Sequence, residues 1–107
     1  MIYAELIQKL AVLHCVYQTI ASADGGIDED RDKEAIALAL KETGLDSIHI
    51  WDAASKLNPH DCFIHVATLS ADDKIQFKSL LDKVTEMGGS VELRKICAEH
   101  LCKLCYL

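Results

Sequence analysis

Proline and aromatic side chains are scarce in this chain: there is one proline, at position 59, and aromatics make up 6% of residues. Long stretches free of proline, with few β-branched runs, point away from sheet and toward an all-helical domain. Basic residues are also in deficit, with 11 Lys and Arg against 17 Asp and Glu, a formal charge of −6 and a pI near 5.2. Nucleic-acid grooves and anionic membrane surfaces select for clustered Lys and Arg, so neither is expected as a partner. A cation, or a basic patch on another protein, is the more natural complement. No run is long and apolar enough to cross a bilayer, which excludes direct membrane insertion through a helix. The dinucleotide fingerprint Gly-x-Gly-x-x-Gly, the phosphate loop Gly-x-x-x-x-Gly-Lys and the zinc helix His-Glu-x-x-His are all missing.

What is present is a chain of 107 residues, half of them apolar, which suits a single domain with a real core. Its five cysteines are odd in number and irregularly spaced, unlike a disulfide framework. They fit a reducing compartment, and a cytoplasmic location is expected. Ala21-Ser22-Ala23 looks like a signal-peptidase site after the apolar stretch Leu10 to Ile20. Glu5, Gln8 and Lys9 precede that stretch without a basic leader, and His14 and Gln18 interrupt it, so it is expected to stay as a helix of the fold.

Apolar periodicity sets the elements. Leu6, Leu10, Leu13, Val16, Tyr17 and Ile20 line one face of a first helix over 3–21. Asp24-Gly25-Gly26 turns the chain, and a second helix follows from Glu29 to Thr43 with Gly44 as its C-cap. Its run Ala35 to Leu40 is apolar nearly all round, which marks it as the central, most buried helix. Asp46 or Ser47 caps a third helix through Ile50, Trp51, Ala54 and Leu57; a lone Trp at this size is usually core, but burial of Trp51 and its presentation to a partner are both open. Asn58-Pro59 breaks it, a short helix or turn runs from His60 to Leu69, and Ser70 with Asp73 opens a further helix. Gly88-Gly89 ends that helix and Ser90 caps the last one.

A faint repeat relates the two ends. Laying position 24 on position 88 matches Leu13 with Phe77, Val16 with Leu80, Tyr17 with Leu81 and Ile20 with Val84. Each half reads as helix, glycine turn, polar cap, helix. The expected fold is therefore all-α: one compact bundle of about five to seven helices, built from two pseudo-repeated hairpins joined by a third helix and the proline break.

The densest chemistry is at Ala21 to Arg31. Asp28, Glu29 and Asp30 suit a helix N-terminus, and carboxylates at a tight turn are also the hard oxygen donors that calcium or magnesium prefers. A capped hairpin and a metal-linked site are both open on these residues. An EF-hand is not, because with Asp24-Gly25 at loop positions five and six, Ile20 and Arg31 fall where carboxylate ligands are required.

The run Ala23-Asp24-Gly25-Gly26-Ile27-Asp28-Glu29-Asp30, after an apolar helix, resembles the signature of the tellurite-resistance TerB-like family. That resemblance implies an all-helical domain of duplicated hairpins and a non-enzymatic stress-response adaptor binding a protein partner. It also implies a divalent cation, calcium or magnesium, at the acidic turn, with Asp24, Asp28 and Glu29 or Glu34 as ligands. The family usually places Glu seven residues after the Asp, where this chain has Arg31; in the second half the two positions are Gly88 and Lys95.

Two other clusters carry chemistry. Cys97-x-x-His100-x-Cys102-x-x-Cys105 reads in letters as a zinc or redox cluster. On a helix, Cys97, Leu101, Leu104 and Cys105 share a face that Cys102 leaves, so buried inert thiols are expected there. A zinc- or thiol-dependent protein using Cys97, Cys102 and Cys105 with His100 or His65 is one alternative, and a purely structural module that binds no ligand is another. In His60-Asp61-Cys62-x-x-His65 the ordinary reading is a polar helix start with Cys62 packed inward. His14 is expected exposed, next to a buried Cys15.

Overall fold

The computed structural model describes residues 1, 4–45 and 47–106. Asp46, one of the two expected caps, and Tyr3, at the start of the expected first helix, lie outside them. Six helices follow one another: α1 Leu6–Asp24, α2 Glu29–Thr43, α3 Ile48–Ser55, α4 Pro59–Ala67, α5 Ala71–Thr85 and α6 Val91–Leu104, with no strand among the described residues.

The caps explain the boundaries. Asp28, Ser47, Asn58, Ser70 and Ser90 each accept a backbone N–H of the first turn that follows, satisfying donors with no partner inside their helix. Pro59 takes the first helical position of α4, where a missing N–H costs nothing. Gly44 caps α2, as read from the sequence. α1 runs three residues further than its periodicity indicates, because Ala21 to Asp24 are compatible with helix and only Gly25, at φ 76°, leaves it.

α1 is the central helix. It packs against each of the other five and buries Ala11, Val12, Leu13, Cys15, Val16 and Ile20 completely. Burial of each of the Val, Leu and Ile side chains among them contributes about 1.5–3 kcal/mol of transfer free energy. The expectation that α2 is most buried is corrected: Ala37 lies exposed and Leu38 half-buried, leaving α2 a helix with one packed face. A nearly continuous apolar run holds alanines that tolerate solvent, whereas α1 closes its ring with Thr19, bonded to its own backbone, and a histidine bonded through one ring nitrogen, its buried Nε2 having no partner among the described residues.

That histidine is a second correction. His14 is buried, its Nδ1–H donating to the Ala54 carbonyl of α3 at 2.9 Å, with its ring tilted against Tyr17. Burial pushes its pKa below the ordinary value, more than the Ala54 bond raises it. Tyr17 in turn meets Trp51 edge-on, and Trp51 is buried in the core, which decides between the two placements the sequence leaves open. The hairpins also form as expected: α1 packs on α2 and α5 on α6, while α1 and α2 both contact α5.

Candidate functional site

The tips of the two hairpins meet. The turn after α1 carries Asp24, and the turn before α6 carries Gly88 and Gly89. A Cβ at Gly89 would fall 2.6 Å from the Asp24 Cγ, and one at Gly88 would fall 3.1 Å from the Arg31 carbonyl oxygen. Only a residue without a side chain lets the second turn sit so closely on the first carboxylate.

Arg94, in the first turn and a half of α6, comes up beneath this junction with its side chain wholly buried. Its Nε donates to Asp24 Oδ2 at 2.6 Å, its Nη2 to Asp32 Oδ1 at 2.6 Å and its Nη1 to the Val84 carbonyl at 3.1 Å. The other Asp24 oxygen accepts the Ser90 N–H at 2.8 Å. Asp32, also wholly buried, accepts the Asp28 N–H at 2.9 Å and is gripped by Arg31 through Nε and Nη2 at 3.1 and 2.8 Å. Arg31 also donates to the Gly26 carbonyl at 3.0 Å. Two carboxylates and two guanidiniums thus tie together α1, α2, the end of α5 and α6.

Electrostatics follow the geometry. Burial alone would raise the pKa of both aspartates. At Asp24 the Ser90 N–H and the Arg94 guanidinium outweigh it; at Asp32 Arg31, the Asp28 N–H and Arg94 do so. Both are held below the usual carboxylate range, and the cluster is charged, paired and hydrogen-bonded as buried ions must be.

The residues expected to share a cation are not brought together as ligands. Asp24 is engaged as described. Asp28 caps α2, accepting the Arg31 N–H at 2.9 Å. Glu29 and Glu34 are exposed on α2. No three His, Cys, Asp or Glu side chains among the described residues are grouped as a metal site requires. The positive charge at this turn is supplied by Arg94 and Arg31, so the donor set does not fit calcium or magnesium.

Asp32 and Arg94 escaped the sequence reading, though the chain carries a signal for both. Arg94 stands in line with Ala98, Leu101 and Cys105, the buried stripe of α6, and Asp32 with Ala35, Ile36, Ala39 and Thr43 on α2. A single charged residue on each of two apolar stripes points to an internal ion pair.

The thiols divide by helix face. Cys15, Cys62 and Cys105 are buried, while Cys97 and Cys102 are half-buried. The expected shared face is therefore only partly buried: Leu101 and Cys105 pack inward, and Leu104 is exposed. Burial pushes the Cys15 thiol well up, Cys62 to about 11, and Cys102 up as well. His60 is exposed above the inward-packed Cys62, the arrangement expected for that segment. A thiol reagent applied to the reduced native protein is expected to modify Cys97 first and to reach Cys15 and Cys62 only on unfolding. Rapid native labelling of Cys15 would contradict this assignment, with peptide mass mapping as the readout.

The outer side of α6 differs from its buried side. Leu93, Ile96 and Leu104 are 49%, 62% and 42% exposed, and they share with Cys97 and His100 a stripe about 100° wide. Beside it is a hollow of about 100 Å³ bounded by Gln18, Phe63, Cys97, His100 and Leu104. The opposite groove, between α5 and α6, is lined by charges of both signs, Lys78, Lys95 and Lys103 with Asp82 and Glu99. No helix among the described residues is long and apolar enough to cross a membrane. No protein-family model, curated protein or solved structure matches this chain.

Proposed function

We propose that this chain is a non-enzymatic, TerB-like interaction module that binds a protein partner through the outer face of α6. The observation that carries the reading is the apolar stripe Leu93, Ile96 and Leu104, left open on a helix whose other side is fixed by Arg94. Aliphatic side chains aligned on a rigid helix are the anchors of helix-mediated recognition, and a pre-ordered helix spares the entropy of ordering it on binding. The family resemblance rests on Ala23 to Asp30, and the stress-response role and cytoplasmic setting come with it.

In this reading the acidic turn is a structural lock whose cation is internal. Millimolar calcium or magnesium is expected to leave the thermal midpoint unchanged, because an ion stabilises the fold only by binding the native state preferentially. A rise that is abolished by Asp24→Asn would return the turn to cation binding.

The surface is tested by placing a photo-crosslinking residue at position 96, with position 33 on exposed α2 as the control, in the cells the chain comes from. Discrete adducts from position 96 alone support the module. No adducts from position 96, or equal adducts from both positions, contradict it.

A further inference from the structure

Resting on that reading, we propose that the occupant of the α6 face is a second copy of this chain, docked with its own α6 antiparallel about a two-fold axis. The α6 face is self-complementary. A two-fold interface must match a surface to itself, so a charge near one end of the stripe needs its opposite near the other end, on the same flank. α6 has this pattern: Glu92 and Lys103 lie on one flank of the stripe, at its two ends, and both are exposed. In an antiparallel pair centred near Cys97 and Ala98, Glu92 of each copy comes beside Lys103 of the other. A parallel pair would instead set Glu92 against Glu92 and Lys103 against Lys103.

The seam positions fall within two residues of the same register. Leu93 lies near Leu104 of the second copy, and Ile96 opposite His100. Leu93, Cys97, His100 and Leu104 step by four, three and four, the spacing that keeps a helical seam in contact. The hollow between Phe63 and Leu104 offers a place for an aliphatic knob beside that seam. A single helix pair with its rim is a small interface, so a dissociation constant on the order of 10 µM is expected.

Sedimentation equilibrium of the intact reduced chain, from about 1 to about 500 µM, tests this directly. The wild type is expected to pass from monomer to dimer across that range. Ile96→Asp, at an exposed position, should keep the helical circular dichroism and raise the dissociation constant at least tenfold. Glu92→Lys and Lys103→Glu should each weaken the dimer, and the double variant should recover most of the loss. A wild type that stays monomeric throughout, a dimer indifferent to Ile96→Asp, or a double variant no better than the singles would overturn the proposal. If the wild type is monomeric while position 96 still crosslinks to a different protein, the self-docking proposal falls and the interaction module stands. If position 96 crosslinks to nothing as well, both fall.

Discussion

Arg94→Met is expected to cost about 3–5 kcal/mol of folding stability, because it leaves two carboxylates inside the protein without their shared cation. In a domain of this size that is a fall in Tm of about 12 °C or more. The methionine fills much of the same volume, so the loss reports charge rather than a cavity. Arg31 continues to serve Asp32, but Asp24 keeps only the Ser90 N–H.

The pH dependence separates this cause from poor packing. In the wild type both aspartates titrate below their unfolded values. The unfolded chain therefore binds more protons in that window, and stability falls as pH drops. Their contribution is complete above the unfolded carboxylate pKa of about 4 and is lost as pH falls through the lower folded values. In Arg94→Met the aspartate left without the guanidinium is expected to be raised by burial, so protonation relieves the variant above pH 4, where the wild-type contribution is still complete. Urea unfolding from pH 7 down to pH 4 is expected to show the stability gap narrowing. A constant gap would assign the loss to packing.

Gly89→Ala is expected to be the most damaging glycine substitution, at about 2 kcal/mol or more, against about 1 kcal/mol for Gly25→Ala. Both residues have positive φ, 63° and 76°, so the backbone strain is similar. The difference is space. Nothing lies within 4 Å of a Cβ at Gly25, whereas one at Gly89 lands on the Asp24 carboxylate. That carboxylate is fixed by Ser90 and Arg94 and has no free direction in which to move. The urea midpoint, at unchanged slope, reads the comparison. Equal losses at the two positions would mean the hairpin tips are not in contact.

Much of this architecture is written locally in the chain. α2 begins and ends where its cap and glycine place it, Ser70 and Ser90 open the helices they are expected to open, Ser47 is one of two expected caps, and Asn58, read only as a break, caps α4. A cap is a contact over three residues, so it is legible without the fold. The repeat relating position 24 to position 88 placed the two glycine turns in corresponding roles, and the structure sets them against each other.

What was not legible depends on distant partners. Asp24 has the local appearance of a metal ligand, yet its charge is met by Arg94, 70 residues away in sequence. Acid-rich spacing can show that positive charge is needed at a turn; it cannot show whether a metal ion or a guanidinium provides it. His14 was misplaced for the same reason. Its Nδ1 is met by a carbonyl of α3, and burial of a histidine depends on a partner no helical period reveals. The centrality of α1 over α2 likewise follows from which helices surround it.

The central claim, that Arg94 is the cation of the acidic turn, is tested most directly by a double-mutant cycle. Urea unfolding at pH 7 would compare the wild type, Arg94→Met, Asp24→Asn and the double variant. The account predicts a coupling of at least about 2 kcal/mol, with the double variant no less stable than Arg94→Met alone. Costs that simply add would contradict it, and the buried ion cluster would no longer explain how the two hairpins are joined.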